Sequence, residues 1–236
     1  YWKKIEYLIE EVGLEFDEVI VFLDICDPIN EIIEYNLSEK NNVISRQNKN
    51  INLKMEKKKS VKPLITSLKE FIYNNTTIIY SILNFLYDTS EIASNEAGEW
   101  SYILNTNEYD RWTIDNDENR TLAKEGNILM KKYMNKLFHL LNKNNIELSL
   151  AVFPRPTQIW YEDHNSIHVK IWHEWSKERN IKLYNFFPEF FYKKNRTDIE
   201  KITFFKENFI VGDYHYNKNG NKIIARKFLD LYKNNL

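Results

Sequence analysis

The near-continuous apolar run from Glu18 to Asp24 (EVIVFLD) is the feature that most limits what this chain can become. A strand with one wet face alternates apolar and polar residues, whereas a run without alternation fits a strand buried on both faces, the condition of a parallel sheet. Ile146 to Phe153 (IELSLAVF) predicts a second strand and Ile181 to Asn185 a short third one. Helical patterns lie between and around them. Tyr1 to Val12 carries Ile5, Leu8, Ile9 and Val12 on one face, with Gly13 as its stop. Leu122 to Asn142 repeats Leu122, Leu129, Met130, Tyr133, Leu137 and Leu140 at helical spacing, a core stripe. Ser166 to Arg179 and Lys218 to Tyr232 also read as helices, and Phe187 to Tyr192 as a helical turn. Strands alternating with helices specify an α/β sandwich with a mostly parallel sheet. Sites in such folds form at the C-terminal ends of strands, where Asp27, Arg155 and His215 all fall.

The length of 236 residues suits a single domain over residues 1–236. Ser38 to Ser60, rich in Asn and Lys, reads as a mobile insertion, and its Lys57-Lys58-Lys59 run as a solvated loop. Pro63 to Asp88 reads as helix and Thr89 to Asp117 as irregular. The net charge of -1 supplies no field for nucleic acid or an anionic membrane. Thr76 to Tyr87 falls short of the roughly 18 apolar residues of a span and is a core helix. The single cysteine, Cys26, excludes an intrachain disulfide.

Chemistry concentrates in Gly212-Asp213-Tyr214-His215-Tyr216-Asn217-Lys218-Asn219-Gly220, which runs into the last helix. Histidine titrates near neutrality and can take a proton from a hydroxyl nucleophile, then return it to a leaving group. A carboxylate two residues away can fix the ring tautomer and stabilise the imidazolium. Asn217 is a suitable helix N-cap, and Gly220 permits close backbone approach. The bland alternative is a structural aspartate beside an ordinary surface histidine.

Three stretches in order resemble the SGNH/GDSL hydrolases, above all the bacterial, membrane-anchored type that accompanies surface-polysaccharide genes. Phe16 to Asp27 resembles the family's third block, Ala151 to Ile159 the proline-rich loop after its next strand, and Ile210 to Gly220 the last block with its catalytic Asp and His. The resemblance implies a flavodoxin-like three-layer sandwich and an ester hydrolase or O-acyltransferase acting on acetyl esters of a cell-surface glycan. His215 would be the base and Asp213 its orienter, with Cys26, Asp27, Arg155 and Gln158 at the oxyanion side or lining the site. It implies no cofactor or metal, no nucleic-acid partner, and an extracytoplasmic protein whose membrane anchor would precede Tyr1. The alternative is a glycan-binding or assembly protein that keeps the fold without turnover.

Two departures qualify the likeness. The family's Gly-Asp-Ser turn and its glycine block are both absent, so the nucleophilic serine is expected upstream of Tyr1. Ser149, inside a strand, is poorly placed to attack. The family's oxyanion asparagine corresponds to Cys26, a weaker donor. On this reading the first two strands are missing, and three parallel strands remain side by side in chain order. The Glu18 to Asp24 strand would then be an apolar edge that invites pairing or aggregation.

Other arrangements compete. His164, His168 and His173 suggest a metal site by helical spacing, without further ligands. Cys26 could be a nucleophile if His215 reached its sulfur. Among the tryptophans, Trp112 and Trp160 lie in expected loops where a sugar ring could stack.

Overall fold

The computed structural model describes residues 1–37, 43–45, 108–115, 118–191, 196–210 and 213–233. These belong to one compact unit that takes in residues 1–46 and 100–236. The expected helix at Pro63 to Asp88 lies outside the described residues, as does Ser38 to Ser60 apart from residues 43–45.

In chain order the elements are α1 (Trp2–Glu10), β1 (Glu18–Leu23), α2 (Asp27–Ile33), β2 (Tyr35–Leu37) and β3 (Val43–Ser45). A 3₁₀ helix (Glu108–Thr113) precedes α3 (Glu118–Lys143), β4 (Glu147–Val152), α4 (Pro156–Trp160) and α5 (Ile167–Glu178). The chain then forms β5 (Lys182–Asn185), α6 (Phe187–Phe190), α7 (Asp198–Asn208) and α8 (Lys218–Lys233). The fold is mixed α/β. Its main sheet has three strands in the order β1-β4-β5, all parallel. Glu18 lies opposite Glu147 and Leu23 opposite Val152, while Ser149 faces Lys182. The three expected strands are therefore neighbours in chain order. Among the described residues β1 pairs on one side only.

The burial pattern explains why the strand sequences do not alternate. Val21, Leu23, Leu148, Leu150 and Val152 join an apolar cluster with Met130, Met134 and Leu137 of α3 and Trp172 and Trp175 of α5. Ala151 and Tyr184 join the other cluster, with Phe204 and Phe205 of α7, and Ile20, Phe153 and Phe228 pack against it. Successive strand residues point to opposite faces, and each face meets its own layer of helices. Full burial of one such side chain contributes about 1.5–3 kcal/mol, so a polar residue is costly at most positions of β4. β1 departs from the expected burial on both faces, with Val21 and Leu23 buried but Phe22 41% exposed.

Several local expectations need correction. α1 stops at Glu10, and Val12 is exposed beyond it, although Gly13 does take the left-handed conformation (φ 68°) expected of a helix stop. The stripe of α3 is Ala123, Met130, Met134, Leu137 and Leu141, and Leu122, Leu129 and Leu140 are its half-buried flanks. Gly126 sets that rotation: a β-carbon there would lie 1.7 Å from the carbonyl oxygen of Pro28 in α2. The residues after Asp24 make only a brief turn. They enter α2 within three residues, with Pro28 in the first turn, where its missing N–H costs nothing. α7 was unforeseen, although Thr197 and Glu200 form a reciprocal capping box at its start. Residues 108–113, expected to be irregular, form the 3₁₀ helix.

Candidate active site at the carboxyl ends of the strands

β1 ends at Leu23 and delivers Asp24, Cys26 and Asp27, while β4 ends at Val152 and delivers Pro154, Arg155 and Gln158. Parallel pairing puts both groups at the same end of the sheet. Asp24 and Arg155 meet there as a fork: Nε to Oδ1 at 2.7 Å and Nη2 to Oδ2 at 2.8 Å. The remaining guanidinium nitrogen, Nη1, donates to Asp110 Oδ1 at 3.1 Å. Asp110 is 0% exposed and Arg155 6%, so the pair stands where charges need full compensation. Burial alone would lower the Arg155 pKa, but the charges of Asp110 and Asp24 outweigh it and hold the cation firmly charged. Burial pushes the Asp110 carboxyl upward against the pull of Arg155.

Cys26 and Gln158 serve this network. The Cys26 thiol donates to Asp110 Oδ1 at 2.6 Å, and its backbone N–H donates to Asp24 Oδ1 at 3.2 Å. Burial, then the Asp110 charge, pushes the thiol pKa up. That suppresses the thiolate a cysteine nucleophile needs, and the sulfur is directed at Asp110 rather than His215. Acting as an oxyanion donor would require Cys26 to release one of its two carboxylate partners. Gln158 is 0% exposed and braces the surroundings: Nε2 donates to the Asp110 carbonyl at 2.7 Å, and Oε1 accepts from Arg155 N–H at 3.2 Å. Asp27 Oδ2 accepts from the Tyr1 hydroxyl at 2.6 Å and from Asp24 N–H at 2.9 Å. Burial raises the Asp27 carboxyl to about 6. A cavity of about 400 Å³ opens beside it, lined among others by Tyr1, Trp2, Asn30 and Tyr133.

The segment carrying Asp213 and His215 arrives at this edge from α7. His215 Nδ1 lies 2.8 Å from Asp213 Oδ1, and the imidazole side chain is 62% exposed. The same carboxylate oxygen accepts the backbone N–H of Tyr214 at 2.6 Å and of His215 at 3.3 Å, which locks the turn. The His215 carbonyl accepts from Ile210 N–H at 2.9 Å. On either side of His215, the Tyr214 ring lies 4.1 Å from the Arg155 guanidinium carbon, and the Tyr216 hydroxyl donates to the Pro154 carbonyl. Asn217 caps α8 through its side-chain oxygen, which accepts from Asn219 N–H at 2.8 Å and Gly220 N–H at 3.2 Å. Gly220 allows α7 to approach: a β-carbon there would sit 2.2 Å from the Asn208 carbonyl oxygen.

Asp213, His215, Arg155, Cys26, Asp27 and Gln158 thus gather around one strand edge, through Arg155 and its partners. Asp110 and Tyr214 were not anticipated. Asp110 comes from a stretch with no readable pattern, and nothing in the sequence around Tyr214 marks it beyond its place between Asp213 and His215. Ser149 is 1% exposed and donates to Glu18 Oε1 at 2.6 Å, so it is tied into the sheet.

The competing histidine and tryptophan readings change. His164 precedes α5 and His168 is fully buried within it, so the two do not share an open helix face. Among the described residues no group of three or more His, Cys, Asp or Glu could hold a metal ion. Trp112 is 1% exposed and donates to the Ile25 carbonyl at 2.7 Å, so no sugar can stack on it. Among the described residues no helix is long and apolar enough to cross a membrane. Comparison with protein-family models, curated proteins and solved structures finds no match.

Proposed function

We propose that this chain is the larger part of a serine-type ester hydrolase or O-acyltransferase of SGNH type, with His215 as general base and Asp213 as its orienter. The observation that carries the reading is the Asp213–His215 pair at 2.8 Å, with an exposed ring, at the carboxyl edge of a parallel sheet. With Nδ1 engaged by the carboxylate, Nε2 is the nitrogen left to meet a hydroxyl. In the proposed reaction a serine Oγ outside these 236 residues attacks the ester carbonyl as its proton passes to His215 Nε2. Asp213 stabilises the imidazolium. The tetrahedral intermediate expels the alcohol, which takes the proton from Nε2. Water or an acceptor hydroxyl then releases the acyl group by the same route. The finer fold belongs to the same proposal: a flavodoxin-like three-layer sandwich whose first two strands come from residues before Tyr1. The family likeness adds the substrate, acetyl esters of a cell-surface glycan, and an extracytoplasmic, membrane-anchored setting.

One observation favours the rival reading of a non-catalytic glycan-binding or assembly protein. Both hydrogen-bond donors of Cys26 are already engaged by Asp110 and Asp24. The two readings separate in one experiment. The complete product of the gene is assayed on p-nitrophenyl acetate beside His215→Ala and His164→Ala. The enzyme reading expects His215→Ala to lose at least about a hundredfold in kcat/KM, the scale of a general base, with His164→Ala unchanged. No hydrolysis by the wild type would leave the binding protein, and equal measurable rates for the wild type and His215→Ala would reject His215 as the base.

A further inference from the structure

We propose that Arg155 is a positioning residue for His215, acting through the ring of Tyr214. Its guanidinium cannot swing, because three of its nitrogens are held by two carboxylates, Asp24 at 2.7 and 2.8 Å and Asp110 at 3.1 Å. One side of a fixed, planar cation is thereby offered to the turn that carries the histidine. The Tyr214 ring lies against it, with the guanidinium carbon 4.1 Å from the ring centroid. Arg is suited to this role and Lys is not, since only the flat guanidinium can be fork-bound at its edge while its face stays open for stacking.

The neighbour on the other side of His215 is held by the same loop. The Tyr216 hydroxyl donates to the carbonyl of Pro154, and its ring stacks on Phe209 at 4.6 Å. The two residues flanking the imidazole are therefore tied to two adjacent residues of the β4 loop. Beneath them, Asp213 Oδ1 accepts both the Tyr214 N–H and the His215 ring, so a movement of Tyr214 would displace the carboxylate as well. His215 itself is exposed, and the wall it has is the Tyr214 ring, whose centroid lies 4.8 Å from the imidazole centroid. An exposed catalytic group held by its chain neighbours can keep its aim while staying open to a substrate.

The inference rests on the proposed role of His215, and its test separates the two. Tyr214→Phe keeps the ring face, Tyr214→Leu removes it, and Arg155→Lys keeps the charge but loses the plane. The His215 Cε1–H resonance, assigned by its absence from His215→Ala, reports imidazole placement without any turnover. kcat and KM on p-nitrophenyl acetate report its use. The clamp expects Tyr214→Phe to match the wild type in both readouts. Arg155→Lys, which leaves the Tyr214 ring beside the imidazole, should shift or broaden the His215 resonance, and both it and Tyr214→Leu should lower kcat about tenfold or more with KM unchanged. If Arg155→Lys does not fold, kcat of the Tyr214 pair decides. An unchanged His215 resonance in a folded Arg155→Lys, or equal kcat in the Phe and Leu variants, would overturn the clamp. Full activity in His215→Ala would instead overturn the proposed function, with the resonance comparison still deciding the clamp.

Discussion

His168 offers the sharpest test of the energetics. It lies on α5 with no exposure, its Nε2 3.4 Å from the Leu23 carbonyl and its ring 6.0 Å from Trp112 in an edge-on contact. Nδ1 has no partner among the described residues. Burial is the main cause that pushes its pKa down to about 4. In the unfolded chain the imidazole returns to about 6.5. As pH falls from 6.5 towards 4, the unfolded chain gains a proton that the folded chain refuses. The stability conferred by the neutral ring is complete above pH 6.5 and lost as pH falls through 4. Between pH 7.5 and 4.5 the loss is about 2.5 kcal/mol. Asp27 works in the opposite sense, since its carboxyl is raised to about 6 and the folded protein takes up that proton first. The wild-type pH profile alone would blend the two. The informative quantity is the stability gap between the wild type and His168→Gln, measured by urea unfolding at several pH values, because Asp27 contributes alike to both. The gap should move against the wild type by about 2.5 kcal/mol from pH 7.5 to 4.5. A gap that stays constant to within about 0.5 kcal/mol would refute a buried, neutral His168.

Three further outcomes follow from the geometry. Gly126→Ala should cost about 2 kcal/mol or more by thermal or urea unfolding, because its β-carbon would meet backbone atoms of Pro28 that cannot rotate away. Asp27→Asn should remove the opposing pH dependence: as pH falls from 7 to 4, the stability gap should shift in favour of the wild type, read in the same urea series. Arg155→Met should cost about 3 kcal/mol or more in urea unfolding, because Asp110 and Asp24 lose the cation that compensates them.

The strands were legible because unbroken apolar runs leave a direct mark, and the three parallel strands occupy the expected order; the burial expected on both faces of β1 is not met, since Phe22 at its open side is 41% exposed. The cap at Asn217 and the close approach at Gly220 were legible for a similar reason, since each rests on one residue's local chemistry. The rotation of α3 was not. Leucines advertised one stripe, but contact with Pro28 through Gly126 turned Ala123, Met134 and Leu141 inward beside Met130 and Leu137, and tertiary contact overrode the hydropathy pattern. The buried network was least legible. Asp24, Asp110 and Arg155 are far apart in sequence, and nothing in the residues around Asp110 signals that it will be buried beside a guanidinium. The spacing of Asp213 and His215 could be read, whereas the surface that holds Tyr214 in place arises only when the strands assemble.

Pairing on one side only, among the described residues, gives β1 a built-in isotope signature. In a parallel ladder successive amides point to opposite sides. The Phe22 carbonyl accepts the Tyr1 hydroxyl, which marks Phe22 and Ile20 as facing away from β4. Val19, Val21 and Leu23 then face β4 and should keep their hydrogens in deuterated water, while Ile20 and Phe22 exchange early. The resulting comb of slow and fast sites is a fingerprint of an unfilled edge. Any strand that docks there, from this chain or another, would erase the fast teeth and leave the slow ones unchanged.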